Sequence, residues 1–224
     1  MLLRRVNIAL VAFDEAHCIS KWGHDFRPSY QAVIQRVLAM PQHFAIIALT
    51  ATATTEVQQD IMSRLMIHPN HVVKTSIRRR NLKFQVNATY QRQKFIVDYV
   101  KSHAKVSGII YCSTRKQVEA LYEALEDVGV AATYYHAGLT SNQRNEAQND
   151  FLYDRIRVVI ATNAFGMGID KSNVRYVIHY NMPGDLESYY QEAGRAGRDG
   201  LESDCILLYS CLLYTSDAAD DSLR

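Results

Sequence analysis

Two adjacent carboxylates, Asp14 and Glu15, directly follow a short apolar run at residues 8–13 (IALVAF). Such a run is typical of a strand buried on both faces of a parallel sheet. Ligands of open α/β sheets bind at the carboxyl ends of strands, where a carboxylate pair can hold a divalent metal and polarise a water molecule. An acidic loop that only closes the strand is the alternative, and the dipeptide alone does not separate the two.

Arginines and glycines recur near the other end of the chain. The string QEAGRAGRDG, residues 191–200, places Arg195 and Arg198 three apart, so on a helix or at its end both would point the same way. Upstream, ATNAFGMGIDK (residues 161–171) has glycines where a backbone must turn tightly or approach another molecule closely. Surface arginines and a simple turn are the alternative interpretations.

The residues after the acidic pair are aromatic and charged. In DEAHCISKWGHDFRPSY, residues 14–30, Trp22 and Phe26 could stack on unpaired bases and Arg27 could pair with phosphate. This stretch resembles motif II and the aromatic-rich loop of RecQ-type DNA helicases. Core anchoring of the two rings is the alternative, but their charged neighbours make a wholly buried loop a poor fit.

The resemblance implies roles for these residues. Asp14 would bind Mg²⁺, Glu15 would orient the attacking water, and the loop would couple DNA contact to ATP hydrolysis. The loop residues that match are His17, Trp22, Phe26 and Arg27.

Further strings resemble the later motifs of the same family. ALTATAT, residues 48–54, is similar to motif III and places hydroxyls at Thr50 and Thr52, although it would equally cap a helix beginning near Thr55. Motif VI supplies an arginine to the γ phosphate of ATP, for which Arg198 is the candidate. The other residues that the resemblance singles out are Arg195 and Gln191 as support for Arg198, Gly168 and Asp170 at the nucleotide, and Ser113, Arg115, His136 and Thr162 on the DNA side.

Strand and helix patterns alternate along the chain, which predicts an α/β fold with mostly parallel sheets. The resemblance implies two RecA-like motor domains with ATP bound between them. No G-x-x-x-x-G-K-[ST] phosphate loop occurs in the 224 residues. We therefore expect an N-terminally truncated fragment with an incomplete first domain (1–78), a second domain (79–210) and a tail (211–224) that looks non-native.

Composition limits the other possibilities. Lys and Arg number 25 against 23 Asp and Glu, so any nucleic-acid site must be a local patch. The four cysteines show no C-x-x-C pairing, which predicts buried, reduced thiols and no zinc site. No apolar run is long enough to span a bilayer. We expect a protein of the cytoplasm or nucleus that is not secreted and has no membrane partner.

The combined prediction is an ATP- and Mg²⁺-dependent 3′ to 5′ DNA helicase motor that acts on single strands and duplex junctions in repair and recombination. Two alternatives stay open: a non-catalytic DNA-binding or interaction module, and a superfamily 2 RNA helicase. We also expect the isolated fragment to hydrolyse ATP negligibly. The three arginines at residues 78–80 could form a solvated face or contact phosphate.

Overall fold

A computed structural model describes residues 7–20, 27–51, 53–74, 78–166 and 169–210. The chain forms two compact units, Met1–Arg78 and Arg79–Arg224, and each is described by itself. The predictions made for Trp22, Phe26, Thr52, Gly168 and the tail at 211–224 lie outside the described residues.

The first unit has a parallel pair of strands, in which Leu10 is opposite Ala45 and Phe13 is opposite Ala48. Thr54 caps the second helix because its side chain accepts a hydrogen bond from the backbone N–H of Val57. The capping predicted for the Thr-rich segment is therefore confirmed. The elements are β1 (Leu10–Phe13), α1 (Pro28–Leu38), β2 (Ala45–Ala48) and α2 (Thr55–Leu65), with short 3₁₀ helices at Ala16–Ile19 and Pro69–His71.

The second unit is a six-stranded, wholly parallel sheet in the order β3-β8-β7-β4-β6-β5. Strands β4 and β6 are buried along their full length, as expected for central strands covered on both faces. The elements are β3 (Leu82–Ala88), α3 (Arg92–Ser102), β4 (Ser107–Tyr111), α4 (Arg115–Glu126), β5 (Ala132–Tyr135), α5 (Ser141–Leu152), β6 (Val158–Ala161), β7 (Val174–His179), α6 (Leu186–Ala193) and β8 (Ser203–Tyr209).

The two faces of this sheet carry separate hydrophobic clusters. One contains Ile110, Ile178 and Ile206 beneath helices α3 and α4. The other contains Val177 and Phe165 and reaches the end of α6. The α/β fold with parallel sheets is thus confirmed, and the carboxyl ends of β1, β4 and β6 are followed by the predicted site residues Asp14, Ser113 and Thr162.

One local expectation is wrong. The composition of HVVKTS, residues 71–76, predicts a strand, but its described residues 71–74 contain the end of a 3₁₀ helix and irregular chain. Helix α6 ends at Ala193, so Arg195 and Arg198 lie in the turns at its end, which is one of the two placements that their spacing allowed. Their side chains are therefore directed by the turns and not by helical spacing.

Burial of the thiols is confirmed for Cys18, Cys112 and Cys205. Burial raises the pKa of the thiols of Cys112 and Cys205 to about 12, so both are neutral near pH 7. Among the residues that the structure describes, no helix is both long and apolar enough to cross a membrane.

Candidate functional site

The acidic pair lies at the carboxyl end of β1, where the chain turns sharply. Glu15 adopts the left-handed conformation, with φ 47° and ψ 47°. Its backbone N–H donates to Oδ1 of Asp14 at 2.9 Å, and the hydroxyl of Tyr30 donates to the carbonyl of Asp14 at 3.1 Å. Both carboxylates remain exposed, so they can meet a ligand at this edge of the strands.

His17 links this turn to the end of the neighbouring strand. The ring is buried, and its Nδ1 lies 3.0 Å from the hydroxyl of Thr50 and 3.3 Å from a carboxylate oxygen of Glu15. A proton on Nδ1 can be donated to either oxygen. The backbone N–H of Ala16 also donates to the carbonyl of Leu49, just before Thr50. The predicted motif II and motif III residues are therefore in direct contact.

The residues around Asp14 are compatible with Mg²⁺ bound together with a nucleotide. Within the described ranges, no three His, Cys, Asp or Glu side chains form a group that could hold a metal unaided. Mg²⁺ normally keeps several waters and takes only one or two protein carboxylates plus substrate phosphates. One exposed carboxylate at a strand end, oriented by the N–H of Glu15, satisfies that requirement.

Arg27, the described arginine of the aromatic-rich loop, begins helix α1 as its N-cap. Its backbone N–H donates to the carbonyl of Cys18 at 3.0 Å, and its side chain is exposed. This contact fixes the start of α1 close to the acidic turn.

In the second unit, the loop after β6 carries the glycine-containing motif and is anchored by hydrogen bonds to residues of β4 and β5. Thr162 is buried, and its backbone N–H donates to the carbonyl of Tyr135. The hydroxyl of Tyr111 donates to the carbonyl of Phe165 at 2.9 Å. Burial raises the pKa of this phenol well above its ordinary value, so it stays a neutral donor.

Arg195 is also directed at this loop. Its Nη1 donates to the carbonyl of Gly166 at 2.7 Å. A Cβ on Gly166 would lie 2.4 Å from Nη2 of Arg195, so a larger residue at this position would displace the guanidinium. The contact gives Arg195 a role in holding the loop.

Arg198 pairs with Asp170 at the far end of the same loop. Its Nη1 lies 2.7 Å from Oδ1 of Asp170, and the two side chains are 37% and 86% exposed. An ion pair this open to water is weak. Arg198 can therefore leave Asp170 for a stronger anionic partner such as a phosphate.

Lys171 fixes the loop where it rejoins the sheet. Its side chain is only 3% exposed, and its Nζ lies 2.9 Å from Oδ1 of Asp154. Asp154 has a left-handed backbone, with φ 58°. The hydrogen bond from Lys171 is the largest of the effects that hold the pKa of Asp154 below its usual value.

The remaining predicted residues lie on either side of these loops. Gln191 is half-buried on α6. The carboxylate of its neighbour Glu192 lies 2.9 Å from Nε2 of the buried His179. Ser113 and Arg115 follow β4 and are exposed. The backbone N–H of Ser113 donates to Oδ1 of Asn181 at the rim of a cavity of about 290 Å³.

Arg115 lies beside the turn after β5. A Cβ on Gly138 would lie 2.8 Å from Nη1 of Arg115 and 3.1 Å from Nδ1 of His136. His136 is buried and its Nε2 lies 3.2 Å from Glu119. The structure thus brings two of the predicted DNA-side residues, Arg115 and His136, to one turn.

Several residues that shape the site were missed by sequence reasoning. Tyr111 is hidden inside an apolar strand, and Lys171 looks like an ordinary surface lysine. Asn181 follows the apolar run of β7 closely, and this position after a strand is the one local signal for it. The residues that the structure adds are Tyr111, Asp154, Lys171, His179, Asn181 and Glu192.

Comparisons with known proteins match this arrangement. Residues 3–61 match the DEAD/DEAH box helicase family, and residues 91–200 match the helicase conserved C-terminal domain. The ATP-dependent DNA helicase RecQ of Bacillus subtilis is 50% identical over 209 residues, which cover 93% of this chain and 35% of that protein. The chain belongs to the RecQ-type helicases. The RecQ of Pasteurella multocida is 45% identical over 93% of this chain and 33% of its own length.

The chain therefore spans about a third of the length of these RecQ relatives. A solved structure of Saccharomyces cerevisiae Dbp5 bound to RNA and ADP BeF₃ superimposes with a TM-score of 0.73 at 21% identity, covering 93% of this chain and 56% of that one. At this identity the likeness shows the fold alone. It agrees with the RecA-like helicase fold expected of a RecQ-type chain.

Proposed function

We propose that this chain is the part of an ATP-dependent, 3′ to 5′ RecQ-type DNA helicase that carries motifs II to VI. The observation that carries the proposal is the 50% identity to an ATP-dependent DNA helicase across 93% of the chain. The protein would act where DNA is, in the bacterial cytoplasm or the nucleus. Its substrates would be single-stranded DNA and duplex junctions.

In the first unit, Asp14 would hold the Mg²⁺ of Mg-ATP, which supplies charge neutralisation at the phosphates when bound. Glu15 would accept a hydrogen bond from the attacking water and orient it. His17 supports this role because its Nδ1 lies within reach of both Glu15 and Thr50. DNA contact through the loop that follows His17 could thus reorient Glu15.

In the second unit, Arg198 would stabilise charge that develops on the γ phosphate. Arginines in this role contribute ~10³ to 10⁵ in rate. The contact of Arg195 with Gly166 supports a separate task, which is to keep the loop that ends in Asp170 in place. Ser113, Arg115, His136 and Thr162 would serve the DNA strand.

The experiment uses a hybrid helicase, in which residues 1–210 of this chain replace the matching segment of Bacillus subtilis RecQ. The hybrid supplies a phosphate loop, which these 224 residues lack. We expect ATP hydrolysis that single-stranded DNA stimulates strongly and RNA stimulates little, and unwinding from a 3′ overhang. The 224-residue chain alone should hydrolyse ATP negligibly.

The alternatives predict different results. RNA-stimulated hydrolysis would favour a superfamily 2 RNA helicase, although the RecQ relatives are named as DNA helicases. DNA binding without hydrolysis by the hybrid would favour a non-catalytic binding module. DNA-stimulated turnover by the 224-residue chain alone would contradict the need for a phosphate loop.

A further inference from the structure

Arg79 is the first residue of the second unit, and its side chain is bound to the turn that carries the motif VI arginines. Nη1 of Arg79 donates to the carbonyl of Gly194 at 2.7 Å. Nη2 donates to the carbonyl of Ala196 at 3.0 Å and also to that of Gly197. One half-buried guanidinium therefore binds three carbonyls just after α6 ends.

Asn81 adds further contacts to this turn, and we call Arg79 and Asn81 together the clamp. The side-chain Nδ2 of Asn81 donates to the carbonyls of Gly197 at 2.8 Å and Leu201 at 2.9 Å, and its backbone carbonyl accepts from the N–H of Ser203. Gly197 has φ +54°, and a Cβ there would lie 2.5 Å from Nδ2 of Asn81. The backbone just before Arg198 is therefore fixed in a conformation that only glycine accommodates well.

The backbone just after Arg198 is fixed as well. Asp199 pairs with Arg175, and the hydrogen bond from Arg175 is the largest effect that lowers the pKa of the Asp199 carboxyl. Arg198 is thus a half-exposed side chain on a turn whose backbone is held on both sides. The clamp therefore determines where the Arg198 side chain begins and which positions its guanidinium can occupy.

We propose that Arg79, with Asn81, is a positioning residue for Arg198 and couples the start of the second unit to the motif VI turn. This role rests on the proposed function, since it matters for rate only if Arg198 acts on a phosphate. Among the three arginines at residues 78–80, Arg79 therefore serves neither as a solvated charge nor as a DNA contact. A displacement of the chain at residue 79 would be transmitted to Arg198 through three hydrogen bonds.

The first test measures ATP hydrolysis by the hybrid helicase with Arg79→Ala. Misplacement of a catalytic group by about 1 Å can cost ~10²-fold in rate. We expect kcat to fall by that order while KM for ATP and the affinity for single-stranded DNA stay within about twofold. Arg79→Lys, which keeps the charge but cannot bind three carbonyls at once, should restore only part of kcat.

A double-mutant cycle separates positioning from a general effect on folding. If Arg79 acts through Arg198, then Arg79→Ala should lower kcat no further in an Arg198→Ala background. Arg155→Ala removes an exposed arginine of the turn after α5 and serves as the control. Multiplicative losses in the double variant would overturn the proposal. So would a fall in DNA affinity with kcat unchanged, because that result would make Arg79 a DNA contact.

Amide hydrogen exchange on the 224-residue chain tests the clamp without ATP. We expect the amides of residues 194–203 to exchange at least tenfold faster in Arg79→Ala, with little change in β4 and β6. Unchanged exchange in this turn would overturn the clamp itself. Faster exchange combined with an inactive unsubstituted hybrid would instead refute the proposed function, and with it the role of Arg79 in positioning Arg198.

Discussion

Arg195 and Arg198 have the same side chain but contact opposite ends of one loop. Arg195 donates to the partly enclosed carbonyl of Gly166, whereas Arg198 makes an exposed ion pair with Asp170. A hydrogen bond to a buried carbonyl is costly to lose because the carbonyl keeps its desolvation penalty. An exposed ion pair contributes ~0 to 1 kcal/mol. Removal of Arg195 should therefore lower the stability of the chain, whereas removal of Arg198 should leave its stability nearly unchanged.

We predict that Arg198→Ala lowers kcat of the hybrid helicase by ~10³ or more while the melting temperature of the 224-residue chain stays nearly constant. Arg195→Ala should lower the unfolding free energy by ~1 to 3 kcal/mol, because the carbonyl of Gly166 loses its charged donor and keeps only the N–H of Ile169. Differential scanning calorimetry and steady-state ATPase assays check both. Equal destabilisation by the two variants would contradict this division.

Lys171 and Asp154 give a prediction for pH. The pKa of Asp154 is lowered in the folded state, so its contribution to stability is present above its unfolded value near 3.8 and is lost as pH falls through the folded pKa. Lys171→Met retains the apolar stem but removes the main cause of the lowered pKa. Urea unfolding between pH 2.5 and pH 7, at intervals of about half a unit, should show a shallower loss of stability at low pH in the variant. Parallel curves for the two proteins would rule out the pair as the cause.

At the scale of elements, β4 is the strand from which the second unit is organised. It lies between β6 and β7, and the predicted site residues Ser113 and Thr162 directly follow β4 and β6. Gly108 in β4 lies directly against the ring of the buried Tyr176 in β7, in a space that a Cβ would have to share with the ring. The pairing of these strands therefore depends on a glycine that no turn requires.

We predict that Gly108→Ala destabilises the chain by ~1 to 3 kcal/mol, because the Tyr176 ring must move within a packed core. Gly184→Ala is the matched control, since a Cβ there meets nothing within 4 Å, and it should change stability by less than about 0.5 kcal/mol. Chemical denaturation of both variants is the measurement. A similar effect from both would mean that the packing against Tyr176 is not limiting.

At the scale of the whole molecule, the two units differ in how complete their sheets are. The described part of the first unit has two strands and one hydrophobic cluster, whereas the second has six strands and two clusters. Sheets of three or more strands with packed helices are generally needed for independent stability. The second unit should therefore be more stable to unfolding than the first.

We predict that residues 79–210 expressed alone unfold cooperatively, at a temperature close to that of the main transition in the whole chain. Residues 7–78 alone should show no cooperative transition, because their core is small. Far-ultraviolet circular dichroism during heating measures both. A sharp transition for residues 7–78 would contradict this expectation.

The elements were largely predictable, but the targets of long side chains were not. The apolar runs SGIIYC (107–112), IRVVIAT (156–162) and VRYVIHY (174–180) predict strands that agree with β4, β6 and β7 to within two residues, because buried parallel strands have a distinctive composition. The partner of Arg79 lies 115 residues away at Gly194, and local sequence does not encode such a contact. The three-residue spacing of Arg195 and Arg198 left open whether they lie on a helix or at its end, and only the end of α6 at Ala193 decides this.

The placement of β3 beside β8 has a consequence for synthesis. These are the first and last strands of the second unit, and the nearby hydrogen bond from Asn81 to Leu201 spans 120 residues. A chain leaving the ribosome exposes β3 long before β8 emerges, so the sheet cannot close during most of translation. The edge of β3 that pairs with β8 must stay unpaired in that interval, so it is open to pairing with other chains until synthesis of the unit is complete.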